Sequence, residues 1–194
     1  MNEQTKMTPA ALKILETASQ FFYLNGIHST GVETIAKEAG VTKKTLYDCY
    51  GSKEQLVVAY LEKRDQQWRK HLHEYIDLIP EEQPLDRILT IFDTIESWLE
   101  TNSPRGYAFI NALAELNEPS YPGRAVIIEE KKWLKQLFST LLKRLNVTNP
   151  EEIGEQLLVL HEGLMVTYSM GISSNGISAV KETAKLIIGS HKKS

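Results

Sequence analysis

A chain of 194 residues with a net charge of −3 is long enough for a small domain joined to a larger one, but it is no basic coat for nucleic acid, so any such affinity must come from a local surface. Its one cysteine, Cys49, excludes an internal disulfide and a cysteine-rich metal site. No apolar run approaches the ~20 residues of a membrane span.

The opening MNEQTKMTPAALK lacks the apolar core of a secretory signal, so a cytoplasmic location without membrane association is expected. Thr8-Pro9 reads as a helix start, with threonine as cap and proline at the first helical position. That helix runs from about Thr8 to Asn25, buries Leu12, Leu15, Ala18 and Phe22, and ends at Gly26. Val32, Ile35, Ala36 and Ala39 then recur at the spacing of one apolar helix face. Thr30 precedes them as an expected N-cap, and Gly40 follows where a left-handed residue is needed. Val41 fills the angle before a second short helix, capped by Thr42 and running to about Tyr50. Leu46 and Tyr50 face inward; Lys43, Lys44, Thr45, Tyr47 and Asp48 face out. Ser52, with Gln55 three residues on, forms a capping box for a third helix.

That third helix runs to about Leu78 and is stopped by Pro80. Further helices are expected over about 85–101, over RGYAFINALAEL, and over about 123–145, 150–172 and 177–190. Asn102-Ser103-Pro104, NEPSYPG, Asn149-Pro150 and SSNG punctuate them. The chain reads as all-α, with no internal repeat and no low-complexity tract.

Two short helices joined at Gly40 are the grammar of a helix-turn-helix. The first helix props the second, whose N-terminal end and outer face enter the major groove. Lys37, Lys43, Lys44 and Lys53 supply positive charge there, and Tyr47 supplies a hydroxyl for phosphate. Lys43, Lys44 and Thr45 are best placed for base edges, since lysine suits guanine acceptors and threonine suits a thymine methyl.

At these residues the chain resembles the TetR family of transcriptional regulators. The resemblance covers about the first 60 residues: Ile14-Leu15-Glu16-Thr17-Ala18, Phe21-Phe22, Asn25-Gly26, Thr30, Val32, Ile35-Ala36, Ala39-Gly40-Val41-Thr42, Thr45-Leu46-Tyr47 and Ser52-Lys53-Glu54-Gln55-Leu56. It implies about nine helices, with residues 1–53 as a helix-turn-helix DNA-binding domain and 54–194 as a helical domain for effector binding and dimerisation. The implied DNA-binding set is Thr30, Lys37, Thr42, Lys43, Lys44, Thr45, Tyr47, Asp48 and Lys53. Lys44 departs from the family's frequent glycine. Asp48-Cys49-Tyr50 replaces an aromatic or histidine pair followed by phenylalanine, so Asp48 brings negative charge near DNA and Cys49 removes a phosphate contact.

The implied effector cavity draws on Trp68, Tyr75, Trp98, Tyr107, Asn111, Trp133, His161 and Met165, with Phe92, Phe109, Glu115 and Leu137 as further candidates. Asn111 stands out as an amide within an apolar run, where it needs a partner. Leu157, Leu160, Leu164 and Tyr168, with Val180, Ala184 and Ile187, form apolar faces on the last two helices and suit a homodimer interface. Ordinary core packing is the competing role for each of these residues. Of five histidines, His71 and His73 stand at i, i+2 on different sides of a helix and His28, His161 and His191 are dispersed; with no phosphate loop, G-x-S-x-G or H-E-x-x-H in the sequence, this argues against an enzyme, a metal or a cofactor. The expected function is a homodimeric repressor, released from a palindromic double-stranded DNA operator by a small-molecule effector. The alternative is a helical ligand-binding or interaction protein without specific DNA binding.

Overall fold

The computed structural model describes residues 7–102, 107–172 and 175–192. Among them are nine α-helices: α1 (Pro9–Asn25), α2 (Val32–Glu38), α3 (Lys43–Tyr50), α4 (Lys53–Ile76), α5 (Pro84–Asn102), α6 (Ala108–Glu115), α7 (Pro122–Lys143), α8 (Pro150–Ser169) and α9 (Gly176–Ser190). No helix of the described residues is long and apolar enough to cross a membrane. The breaks expected at Ser103-Pro104 and Ser173-Ser174, and the helix start expected at Arg105, lie outside the described residues.

The chain divides into two compact units. The first takes Met1–Arg64 with Ala108–Ile127, and the second takes Asp65–Tyr107 with Ile128–Ser194. The helices α4 and α7 therefore each contribute to both units.

In the first unit α1, α2 and α3 pack against one another around Ile14, Ala18, Ile35, Ala39 and Leu46, all fully buried. Thr8 caps α1 as expected, its hydroxyl accepting the Ala11 N–H at 3.2 Å. The buried stripe of α1 is Ala11, Ile14, Leu15, Ala18 and Phe22, whereas Leu12 is 45% exposed. Leu12 lies roughly 100° round the helix from Ala11, off the stripe, so its expected burial is corrected. Thr30 does not cap α2. Gly31 holds the cap position without a side-chain bond, and the buried Thr30 hydroxyl donates instead to the Gly26 carbonyl at 2.7 Å. Threonine satisfies its hydroxyl by closing the turn after α1, which leaves the α2 terminus uncapped.

The helix α6 and the start of α7 belong to the same unit. The His28 N–H donates to Glu115 Oε2 at 2.8 Å, and His28 Nε2 lies 2.6 Å from the Glu115 carbonyl. Gly26 (φ 95°) lies under this carboxylate, and a Cβ there would stand 3.1 Å from both Glu115 oxygens. Glycine is required at that corner for its dihedral and for its missing side chain.

The second unit packs α5, α8 and α9 together. Phe92 and Phe138 are fully buried with ring centroids 5.7 Å apart. At Gly154 the α8 backbone meets α7, where a Cβ would overlap Ser139 Oγ and lie 3.2 Å from the Lys135 carbonyl. Asn149 holds the α8 cap position in a left-handed conformation (φ 51°), but its side chain makes no cap bond; it donates to Glu152 Oε2 at 3.3 Å. A bridge between Val147 and Lys192 ties the chain near its end to the segment before α8.

Candidate nucleic-acid interface

The short helix α3 is fixed from three sides. Thr42 accepts the Thr45 N–H at 3.0 Å, satisfying one orphan donor of the first turn, and the two hydroxyls lie 2.8 Å apart. Leu46 is fully buried. The Tyr50 hydroxyl donates to the Ala11 carbonyl at 2.7 Å, pinning the C-terminal end of α3 to α1. Burial pushes the Tyr50 phenol up to about 12, so it stays a donor at physiological pH. Gly40 (φ 64°) makes the turn from α2, and Gly51 (φ 72°) ends α3.

What this leaves outside is a polar face. Lys43, Lys44, Tyr47 and Asp48 of α3 are exposed, Thr45 is half-buried at its first turn, and Lys37 stands exposed on α2. Their charges are not equivalent. Lys43 is ion-paired with Glu33 of α2, and that hydrogen bond pulls the Glu33 carboxyl down and pushes the Lys43 ammonium up. Lys37 and Lys44 have no acidic partner among the described residues, and Asp48 has no basic one. Lys53 is half-buried at the start of α4, where burial draws its ammonium down and Glu54 and Glu115 oppose that. Ser52 caps α4 by accepting the Gln55 N–H at 3.1 Å. Cys49 is exposed. The structure therefore brings Thr42, Lys43, Lys44, Thr45, Tyr47 and Asp48 onto one short helix and its cap, and places Thr30 inside the fold.

The effector candidates divide. Trp68, Trp98, Tyr107, His161 and Met165 are buried in the second unit, Trp133 is half-buried, and Tyr75 is 38% exposed. Asn111 belongs to the first unit and is exposed, so its amide is not the buried group that the apolar run predicts. Its flanks explain the miss: Ala108, Phe109 and Ala112 turn inward while Ile110 is 41% exposed, so the run mixes both faces of α6. Trp68 lies 5.3 Å from Trp98 and 5.8 Å from His161, ring to ring. His161 Nδ1 lies 3.0 Å from Glu162 Oε1, and burial draws the imidazole down, keeping it neutral.

Three charged residues that sequence reasoning passed over join this cluster. Glu130 is fully buried, and Lys131 lies 2.6 Å from Glu130 Oε2 and 3.0 Å from Glu162 Oε1. A signal was present: Glu130 sits on the apolar stripe of Ile127, Leu134, Phe138 and Leu141. Among the described residues no group of three or more His, Cys, Asp or Glu is arranged to hold a metal ion.

Of the interface candidates, Leu157, Leu164 and Ala184 are buried inside the subunit's own core, while Leu160, Tyr168, Val180 and Ile187 are half-buried. The exposed apolar groups on α8 and α9 are Val159 (67%) and Leu186 (74%), which sequence periodicity did not single out.

Residues 14–60 match the family model for bacterial regulatory proteins, tetR family. Over 60 residues the chain is 37% identical to the HTH-type transcriptional regulator UidR of Escherichia coli, a match taking in 31% of each protein. It is 47% identical over 47 residues to the uncharacterised HTH-type transcriptional regulator YxaF of Bacillus subtilis. The chain thus spans about a third or less of the length of the curated relatives it matches. The crystal structure of SCO4454, a TetR-family transcriptional regulator from Streptomyces coelicolor, superposes with a TM-score of 0.83 at 25% identity, covering 95% of this chain and 96% of that one. The head is thus similar in sequence to the tetR family of bacterial regulatory proteins over residues 14–60, and the fold is similar along nearly its whole length to that of a TetR-family regulator.

Proposed function

We propose that this protein is a homodimeric transcriptional repressor that binds a palindromic DNA operator and leaves it when a small molecule binds. Residues 1–53 act as the DNA-binding domain and 54–194 as the effector and dimerisation domain. The observation that carries the reading is α3: a helix held by Thr42, Leu46 and Tyr50, with Lys44, Tyr47 and the half-buried Thr45 on its outer side. Such a helix presents its N-terminal turn to base edges and its flanking lysines to phosphate. A twofold operator needs two heads. On α8 and α9, Val159 and Leu186 lie near Gly163 and Gly189, where a Cβ would meet open space, so a partner's backbone has room to approach. Release follows from population shift, because the effector binds better to the form whose heads do not fit the operator.

An electrophoretic shift against the DNA upstream of the chain's own coding sequence tests the reading. Sequence-dependent, salt-sensitive binding is expected. The absence of such binding would overturn it and leave the second reading, a helical ligand-binding protein without specific DNA binding. That reading draws on the exposed, unneutralised Asp48, which opposes phosphate.

A further inference from the structure

Among the described residues, the second unit gathers buried and half-buried charges that do not balance. Three carboxylates, Glu130 of α7, Glu162 of α8 and Asp65 of α4, are coupled there. Among the described residues, two cations serve them. Arg69 donates to Asp65 Oδ1 at 2.7 Å, and Lys131 is shared between Glu130 and Glu162. His161 adds no charge, since burial keeps it neutral.

The hydrogen-bond pattern is unbalanced in the same direction. Lys131 holds Glu130 Oε2 at 2.6 Å, but among the described residues no group donates a hydrogen bond to Glu130 Oε1. His161 Nε2 is likewise buried without a partner among the described residues. Its other nitrogen, Nδ1, faces Glu162 Oε1 at 3.0 Å; an N–H there makes Nε2 an acceptor. Glu130 Oε1 and His161 Nε2 are then both acceptors, and a buried acceptor is costly to leave without a donor. The nearby surfaces are aromatic: Trp68 stands 5.8 Å and Phe92 6.4 Å from the His161 ring, with Trp98 5.3 Å from Trp68. A ligand that answers this set brings donors, one positive charge and an apolar body.

The geometry points to a site for a small organic cation, an ammonium carrying an apolar or aromatic group, held by Glu130 and His161 against Trp68. This deepens the effector reading above and rests on it only for regulatory meaning. Burial pushes the Glu130 carboxyl up, and the Lys131 charge and hydrogen bond oppose this only in part. Glu162 is pushed up by burial too, but the His161 hydrogen bond and the Lys131 charge outweigh this and hold it down, so Glu130 is the carboxylate left to a ligand.

The test uses the full chain without DNA. Benzylammonium, benzyl alcohol and benzoate share one ring and differ in charge. Each is titrated against tryptophan fluorescence, which Trp68 and Trp98 report, with thermal unfolding as a second readout. Benzylammonium should saturate and bind about tenfold or more tighter than the other two. Glu130→Gln, with helix content checked by circular dichroism, should lose that preference, and Glu130→Asp should keep part of it. Equal affinity for the three probes, no saturable response to benzylammonium or the smaller methylammonium, or an undiminished preference in Glu130→Gln would each overturn the site. A parallel gel shift separates the two readings. Cation binding with unchanged operator affinity removes the regulatory role and keeps the site, whereas a chain that binds no operator removes the regulator reading alone.

Discussion

Lys44 and Lys53 are both lysines near α3, yet their surroundings differ. Lys44 is exposed on the helix itself and has no acidic partner among the described residues, whereas Lys53 starts α4 and is half-buried. Lys53→Ala should weaken binding to every DNA sequence and reduce the salt-dependence slope by about 1, as the loss of one phosphate contact does. Lys44→Ala should instead alter the ranking of operator variants in a competition assay; a uniform loss across them would show Lys44 to be a phosphate contact. Lys43 should matter less than its position implies, since it must leave Glu33 before it reaches DNA. These distinctions were only partly legible in the sequence. The outward set from Lys43 to Asp48 follows from helical spacing around Leu46. The Lys43–Glu33 pair spans ten residues and two helices, and Thr30's inward hydroxyl depends on how the chain turns after Gly26; neither is encoded in local periodicity.

At the scale of elements, helix positions were read well because punctuation is chemical: Thr8-Pro9, Gly26, Gly40, Thr42 and Pro150 each mark an end through a cap or a backbone preference. The partner of each face was not legible. Leu157, Leu164 and Ala184 form a periodic apolar row whether they meet another helix of the same chain or a second subunit, and the structure buries them within the chain. Gly154 shows how close that packing is. Gly154→Ala drives a methyl into Ser139 Oγ and toward the Lys135 carbonyl, so α7 and α8 must separate. Overpacking of this kind costs about 1–3 kcal/mol, which chemical denaturation should show as a lower midpoint. Combining it with Ser139→Ala, which removes the clashing oxygen, should recover part of the loss.

For the whole molecule, the proposed dimer has its seam on the outer residues of α8 and α9. Val159 and Leu186 are far more exposed than the neighbouring core positions, and burying a side chain of this kind is worth about 1.5–3 kcal/mol. Leu186→Glu should shift the protein toward monomer in light scattering coupled to size exclusion, with helix content unchanged and operator affinity reduced. An unaltered dimer would move the interface off this face. Glu130 belongs to the same scale. It is a carboxylate on an apolar stripe, visible in the sequence as a break of pattern, but it acquires meaning only when α4, α7 and α8 bring Asp65, Lys131, His161 and Glu162 beside it.

The contact between His28 and Glu115 joins residues 87 apart in the chain, and it falls where the His28 backbone is otherwise exposed. Solvent does not shield that amide; its single bond to the Glu115 carboxylate does. Its isotope-exchange rate is therefore a local clock for how often α6 lets go of the turn after α1. The clock needs neither operator nor effector to run, and a change in its rate when either one is added would register their influence on that turn at one atom.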